Sequence, residues 1–268
     1  MSYHHPMGVV RGLFDRFIRA NLRVSQKLEG RLPHAQYSLQ DEYERVLEQL
    51  LSTMHGPALV VDVGGGRHCH FARFRPPGSA VRIVGVDISA DELALNDDVD
   101  ERVVADATQA LPFGEGDVKL LVARAVLEHL PDTEAFITEA GRVLEPGGYF
   151  VVLVPNRYAL SSVLNRLIPD RLARVLLHAL VPDSEGRLGF PAHYDRTSSN
   201  ELRRLFERYD IDVVEEHLTY YQASYFGFFL PLYVICAAFE SVFHRLGTTR
   251  LAATILLVGR KRPASPLA

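Results

Sequence analysis

Val60-Val61-Asp62-Val63-Gly64-Gly65-Gly66 joins the end of a continuous apolar run to three consecutive glycines. The run, Ala58 to Val63, follows Pro57 and suits a strand buried on both faces, as in a parallel sheet. Glycines directly after such a strand let the backbone turn tightly and approach a ligand with no Cβ in the way. In open α/β sheets ligands bind at the carboxyl ends of the strands, where this loop falls. By itself the turn reads equally as a ligand loop or as a plain turn.

Outward from this turn the chain alternates. Val81 to Ile88 is a second apolar strand. Ser89-Ala90-Asp91-Glu92 behind it fits a capping box, in which the Ser hydroxyl and the Glu carboxylate each accept an orphan backbone N–H. Arg102 to Ala105 and Val118 to Ala123 read as strands. Asp132 to Leu144 reads as a helix closed by Glu145-Pro146-Gly147-Gly148, and Tyr149 to Val154 as a fifth strand. Strand, helix, strand in this rhythm predicts a doubly wound α/β sheet. Upstream, Val9 to Arg31 is a basic amphipathic helix and Ser38 to Met54 a second helix. Downstream, Tyr158 to Leu180 predicts two short helices broken near Pro169. Ser198 to Tyr209 is a helix with a second capping box at Ser198 and Glu201, and Ile211 to Leu218 and Leu251 to Val258 are strands. The expected organisation is N-terminal helices over 1–56, a cofactor-binding core over 57–156, and acceptor-side helices, last strands and an aromatic-rich insertion over 157–268.

The whole chain sets limits. Its 268 residues suit one α/β domain with added elements, and 47% hydrophobic residues exclude a largely disordered chain. A net charge of -4 provides no broad basic surface, so nucleic acid is not an expected partner. Cys69 and Cys236 form no zinc-type spacing, so no metal site is expected and a reducing compartment is the default. Met1 to Pro6 lacks the apolar core of a signal peptide, and the expectation is a cytoplasmic protein.

A second acid, Asp87, ends the next strand 21 residues after Gly66. That is close to the spacing of about 20 at which an acid reaches a ribose hydroxyl. A carboxylate can accept from both ribose O–H groups. Asp87 would equally cap the helix starting near Ser89. A nicotinamide cofactor shares this physics, but its fingerprint wants Gly-x-Gly-x-x-Gly, and Gly64 and Gly66 are followed by Cys69. Asp62, two places before the first glycine, would also repel a pyrophosphate. A sulfonium cofactor with an amino-acid tail would not be repelled.

These residues resemble class I S-adenosylmethionine-dependent methyltransferases, in particular the branch that includes ubiquinone and menaquinone biosynthesis enzymes (the methyltransferase type 11 branch). The resemblance covers about Ala58 to Pro155. The acid-x-Gly-x-Gly-x-Gly loop of that family is matched at Asp62, Gly64 and Gly66 and departs at His68, where the last Gly is usual. Asp87 matches the ribose acid and Asp106 the acid that meets the adenine amino group, although Asp106 alone reads as a solvated loop acid. Val126-Leu127-Glu128-His129-Leu130 matches the segment after the fourth strand, and Arg142-Val143-Leu144-Glu145-Pro146-Gly147-Gly148 the turn before the fifth. The resemblance implies a Rossmann-like sheet, mostly parallel with an antiparallel last strand, plus a helical cap. It implies S-adenosyl-L-methionine as cofactor, held at Asp62, Gly64, Gly65, Gly66, Asp87, Ile88, Asp106, Ala107 and Arg124.

Methyl transfer from a sulfonium is an in-line displacement that needs alignment more than a catalytic triad. A general base matters only where the acceptor carries a proton that must leave. His129, after the fourth strand, and His193, in Phe190-Pro191-Ala192-His193-Tyr194-Asp195-Arg196, are the candidate bases, with Glu128 as a group that orients His129. Each also reads as an ordinary loop or helix residue.

Three segments exceed a minimal domain of this kind: Val9 to Arg31, Ala159 to Val181 and Leu218 to Phe239. The last carries no charged residue and is long enough to span a bilayer. The strands on either side of it should join one sheet, which excludes a simple span. It is expected to form a cap over an acceptor pocket, an interfacial helix, a subunit contact or ordinary core. The expected activity is methylation of a small hydrophobic or lipid-like molecule, with peripheral membrane contact. The competing expectation is a membrane-associated binding protein that keeps the cofactor fold without turnover.

Overall fold

The computed structural model describes residues 6–32, 35, 37, 39–167 and 191–263. Seven strands form one sheet: β1 (Ala58–Val63), β2 (Val81–Asp87), β3 (Glu101–Val104), β4 (Val118–Arg124), β5 (Leu144–Pro155), β6 (Ile211–Thr219) and β7 (Thr254–Lys261). Their order is β3-β2-β1-β4-β5-β7-β6. β1 to β5 pair in parallel, and β7 runs antiparallel to both β5 and β6. The chain moves outward from β1 to β3 and then returns to place β4 on the other side of β1. The carboxyl ends of β1 and β4 are therefore the switch point at which such sheets open a crevice, and the Gly64–Gly66 loop lies there.

The apolar run of β1 is continuous because both its faces are covered. Successive side chains of a strand point to opposite sides. Val61 and Val63 join Val84, Leu121 and Phe150 in a core beneath α4 (Thr133–Val143) and α6 (Ser199–Arg208), where Phe206 stacks on Phe150 at 5.0 Å. Val60 joins Ile83, Leu120 and Val122 against Tyr43, Leu47 and Leu51 of α2 (Leu39–Ser52).

Local departures from the expected pattern have local causes. No α-helix follows β1. The chain makes a short 3-10 turn at Ala72–Phe74 and then meets Pro76-Pro77-Gly78, where the fixed φ and missing N–H of proline stop a helix from continuing. The Ser89 box at α3 (Ala90–Leu93) is only half made. Ser89 Oγ accepts from Glu92 N at 3.3 Å, but the Glu92 carboxylate is taken by Arg67 at 2.6 and 2.7 Å. A bidentate charged pair outbids a single backbone donor. Ser89 N donates instead to Asp87 Oδ1 at 2.8 Å. At α6, Ser198 Oγ donates to the Glu201 carboxylate rather than capping the helix. Glu145-Pro146-Gly147-Gly148 belongs to β5, which enters the sheet at Leu144 and shifts register against β4 between Val118 and Leu120. Of the two helices expected over Tyr158 to Leu180, the first is α5 (Leu160–Leu167); the second, with most of Ala159 to Val181, lies outside the described residues.

β5 and β6 both run antiparallel to β7, so they point the same way. Segments leaving them emerge at the edge that carries the glycine loop. There α7 (Leu230–Leu246) packs with α1 (Pro6–Glu29) and α5. Tyr233, Cys236 and Phe226 form a small core with Leu28 and Leu164, and Leu230 N donates to Asn21 Oδ1 at 2.9 Å. This is the expected helical cap. β6 and β7 lie side by side in the sheet, so the aromatic segment between them is not a single span. No described helix is long and apolar enough to cross a membrane.

Candidate functional site

The glycine loop is tied to the tip of β2. Gly64 N and Gly65 N both donate to Val86 O, at 2.8 and 3.1 Å, and Gly66 N donates to Asp87 Oδ2 at 2.9 Å. Gly64 has φ +71°, and a Cβ there would lie 2.3 Å from Val126 Cγ2. Glycine is required by both backbone conformation and space. Asn96, wholly buried, donates to Gly65 O at 2.9 Å and holds the loop from beneath. No periodicity or spacing marks Asn96 in the sequence, beyond its being a polar residue behind Leu93 and Leu95.

Asp62 closes β1 as a nearly buried carboxyl. Burial pushes its pKa up to about 7, against the lowering effects of a hydrogen bond with the Cys69 thiol and of the nearby Arg124 charge. Cys69 N is held at 3.1 Å by Asp98 Oδ2, and His68 is exposed with Nδ1 3.4 Å from the same oxygen. The departure at His68 therefore leaves the loop intact: His68 turns to solvent, and the next residue reaches back to Asp62. Arg124, at the end of β4, lies over the Tyr43 ring of α2 at 5.8 Å. This brings an N-terminal helix onto the loop, and Tyr43 carries no marker in the sequence beyond helical spacing.

Beside the loop lies a cavity of about 330 Å³. Gly64, Asp87 and Ile88 line it from β1 and β2, Asp106 and Ala107 from the turn after β3, and Ala125, Val126 and His129 from the segment after β4. Pro191 and His193 line it next to His129. Of the residues singled out in sequence, Gly64, Asp87, Ile88, Asp106, Ala107, His129 and His193 thus share one cavity. Gly65 and Gly66 of the loop, and Asp62 and Arg124 behind it, do not line the cavity. A larger hollow of about 740 Å³ lies at the start of β2. It is open to solvent, its Arg75 is already paired with Asp100, and it sits at the amino edge of the sheet, away from the switch point.

The histidine wall is built by long-range backbone bonds. His193 N and Tyr194 N both donate to Glu128 O, at 2.7 and 3.0 Å, and Thr133 N donates to Asp195 Oδ2 at 3.1 Å. His129 Nδ1 is 3.1 Å from Pro191 O. A carbonyl only accepts, so Nδ1 carries a hydrogen. Nε2 lies 3.9 Å from Glu128 Oε1. Glu128 is buried, its Oε2 has no partner among the described residues, and burial pushes its carboxyl up to about 7. Ala125, between Arg124 and Val126, has φ +54°, a strained conformation for a residue with a Cβ, held by its N–H bond to Leu153 O at 2.8 Å.

The residues fit S-adenosylmethionine. Gly64 presents bare backbone to the cavity, and Val126 takes the space its Cβ would need. Each Asp87 oxygen takes one backbone N–H and keeps a lone pair, and Asp106 Oδ1 is turned inward to Thr108 N and Oγ1 at 2.9 and 2.8 Å, leaving its carboxylate fixed at the cavity wall. A doubly wound sheet with this loop at the switch point, an acid at each of the first two strand ends and an apolar crevice between defines a class I S-adenosylmethionine-dependent methyltransferase. A family model described as a methyltransferase domain matches residues 34–216. The chain belongs to this family, and its cofactor is S-adenosylmethionine.

Among curated relatives, trans-aconitate 2-methyltransferase of Azoarcus sp. (strain BH72) is 32% identical over 132 residues, covering 44% of this chain and 48% of that one. The 27-O-demethylrifamycin SV methyltransferase of Amycolatopsis mediterranei (strain S699) is 35% identical over 100 residues, covering 32% of this chain and 36% of that one. Each match spans less than half of the relative's length. A solved structure of geranyl diphosphate methyltransferase with GPP and sinefungin superposes with a TM-score of 0.55 at 15% identity, over 83% of this chain and 78% of that chain. This last likeness concerns the fold.

Proposed function

We propose that this protein transfers the methyl group of S-adenosylmethionine to a small hydrophobic or lipid-like acceptor. The observation that carries the reading is one continuous cavity with Gly64, Asp87 and Asp106 on one side and His129, Pro191 and His193 on the other. Donor and acceptor would meet there without a wall between them. When bound, the cofactor supplies an activated methyl group and its own leaving group.

The chain's residues position and shield. Asp87 would accept from the ribose hydroxyls and Asp106 from the adenine amino group, with Ile88 and Ala107 against the ring. The Gly64–Gly66 backbone, with Asp62 and Arg124 behind it, would hold the charged amino-acid tail. Val126, Leu130, Pro131 and Pro191 make much of the acceptor side apolar, so an apolar acceptor would displace water from these side chains at little cost. Where the acceptor carries a proton, neutral His129 would take it at Nε2, with His193 in the same wall of the cavity, and Glu128 would hold the charge that develops on His129. Peripheral contact with a membrane surface belongs to the same reading, since lipid-like acceptors reside there.

The test has two stages. Calorimetry should show binding of S-adenosylmethionine and none of NAD. Cell extract incubated with the protein and isotope-labelled methyl donor should then yield a labelled apolar product by mass spectrometry. Binding of the cofactor with no labelled product in lipid or aqueous fractions would refute the transfer reading and favour a binding protein.

A further inference from the structure

We propose that α1 and α7 together form a docking surface for an anionic lipid bilayer. α7 packs Tyr233, Cys236, Ala237 and Glu240 inward and leaves Val234, Ile235, Phe239, Val242 and Leu246 exposed along its opposite face. Ile235 is 52% exposed, Phe239 57% and Leu246 67%. These residues recur at helical spacing on a single stripe, so they form one surface rather than scattered exposures. Phe17 and Val24 of α1 are exposed as well.

α1 supplies the charge. Arg16, Arg19, Arg23 and Lys27 recur every three or four residues on the side away from buried Ile18 and Ser25, and all four are exposed. None of them takes part in an ion pair among the described residues. No described exposed position on either helix is acidic. An apolar stripe on one helix and a basic stripe on the helix packed against it match the interface of a bilayer with acidic headgroups. A second copy of this chain is a poorer occupant. An isologous contact that includes α1 would bring basic stripe towards basic stripe with no described exposed carboxylate on either helix to answer it.

The surface also lies where it would serve the cavity. α7 leaves and rejoins the sheet between the end of β6 and the start of β7, at the edge that carries the glycine loop. Docked through this face, the cap would hold the cavity's edge of the sheet towards the membrane. In giving the acceptor a route the proposal rests on the hydrophobic-acceptor reading; as a surface it stands on exposure and charge alone.

The experiment is sedimentation of the full chain with phosphatidylcholine vesicles, with and without phosphatidylglycerol, at low and high salt. Binding is expected only to the phosphatidylglycerol vesicles, and salt should weaken it. Ile235→Glu with Phe239→Glu, and separately Arg16→Glu with Arg19→Glu and Arg23→Glu, should each reduce partitioning at least about tenfold. Calorimetry with S-adenosylmethionine checks that both variants fold. No binding to phosphatidylglycerol vesicles, or full binding by both variants, overturns the surface. So does a dimer dissolved by the α7 substitutions in a chain that ignores vesicles. A chain that binds the cofactor and methylates but ignores vesicles loses the surface and keeps the proposed activity. A chain that binds vesicles but not the cofactor does the reverse.

Discussion

Replacing Gly64 by Ala should damage the cofactor loop through two separable costs. The backbone at Gly64 has φ +71°, and a residue with a Cβ loses about 1 kcal/mol in that region. The new Cβ would also lie 2.3 Å from Val126 Cγ2. Relieving that overlap means an off-rotamer Val126 or a displaced loop, at about 1–3 kcal/mol. The sum, about 2–4 kcal/mol, corresponds to a Tm lower by about 4–16 °C for a chain of this size. Val126 also lines the cavity, so its movement should weaken S-adenosylmethionine binding as well as stability. Gly64→Ala with Val126→Ala separates the two costs. The second substitution removes the clash and leaves the backbone strain, so the pair should be coupled by more than additivity allows. Thermal unfolding and calorimetry on the four species measure both effects. If Gly64→Ala leaves Tm and cofactor affinity at wild-type values, or if Val126→Ala restores nothing, the loop is not packed as described.

Asp87→Asn should keep the chain folded, since an amide oxygen can still accept from Gly66 N and only the bond from Ser89 N is lost, yet weaken S-adenosylmethionine binding about 10–100-fold, the worth of a charged hydrogen bond; unchanged affinity by calorimetry would remove Asp87 from the site. For a hydroxyl acceptor, His129→Gln or His193→Gln should lower kcat by about 10²–10⁴-fold with cofactor affinity intact, and full turnover in both variants would end the general-base idea. Burial lifts the Glu128 carboxyl from 4.5 to about 7, so the folded chain holds a proton that the unfolded chain has already lost between those values. Stability therefore falls as pH rises from about 4.5 to about 7, by about 3 kcal/mol in all, and stays lowered above that window. Glu128→Gln removes this titration, so its Tm should exceed wild type near pH 8 and approach it near pH 5; a pH-independent difference would contradict the buried acid.

Much was legible in the sequence because it depends on neighbours a few residues apart. Ala58–Val63 forms a strand with the bounds its apolar run predicts, since a strand covered on both faces admits no polar alternation. Gly64 and Gly66 take positive φ, as their residue type allows. Asp87 falls at the tip of β2, the strand beside β1, because strand length and crossover set the spacing between two loops on one sheet edge. The placement of β6 and β7 in one sheet was expected from the sequence, and it excludes a simple membrane span between them.

What only the tertiary structure decided concerns competition between partners far apart in the chain. Glu92 could cap its own helix or pair with Arg67, and nothing near it in sequence says that Arg67 wins. Asn96 beneath Gly65, Tyr43 over Arg124, and the joining of His193 to the backbone of Glu128 all arise once the sheet brings distant segments within hydrogen-bond reach. The heptapeptide Val60 to Gly66 determined a buried strand and its glycine turn, and with Asp87 and Asp106 it pointed to the kind of cofactor, because turn geometry and strand burial are local. Which residues share its cavity, and which face of α7 is left to solvent, depended on the packing of all the elements at once.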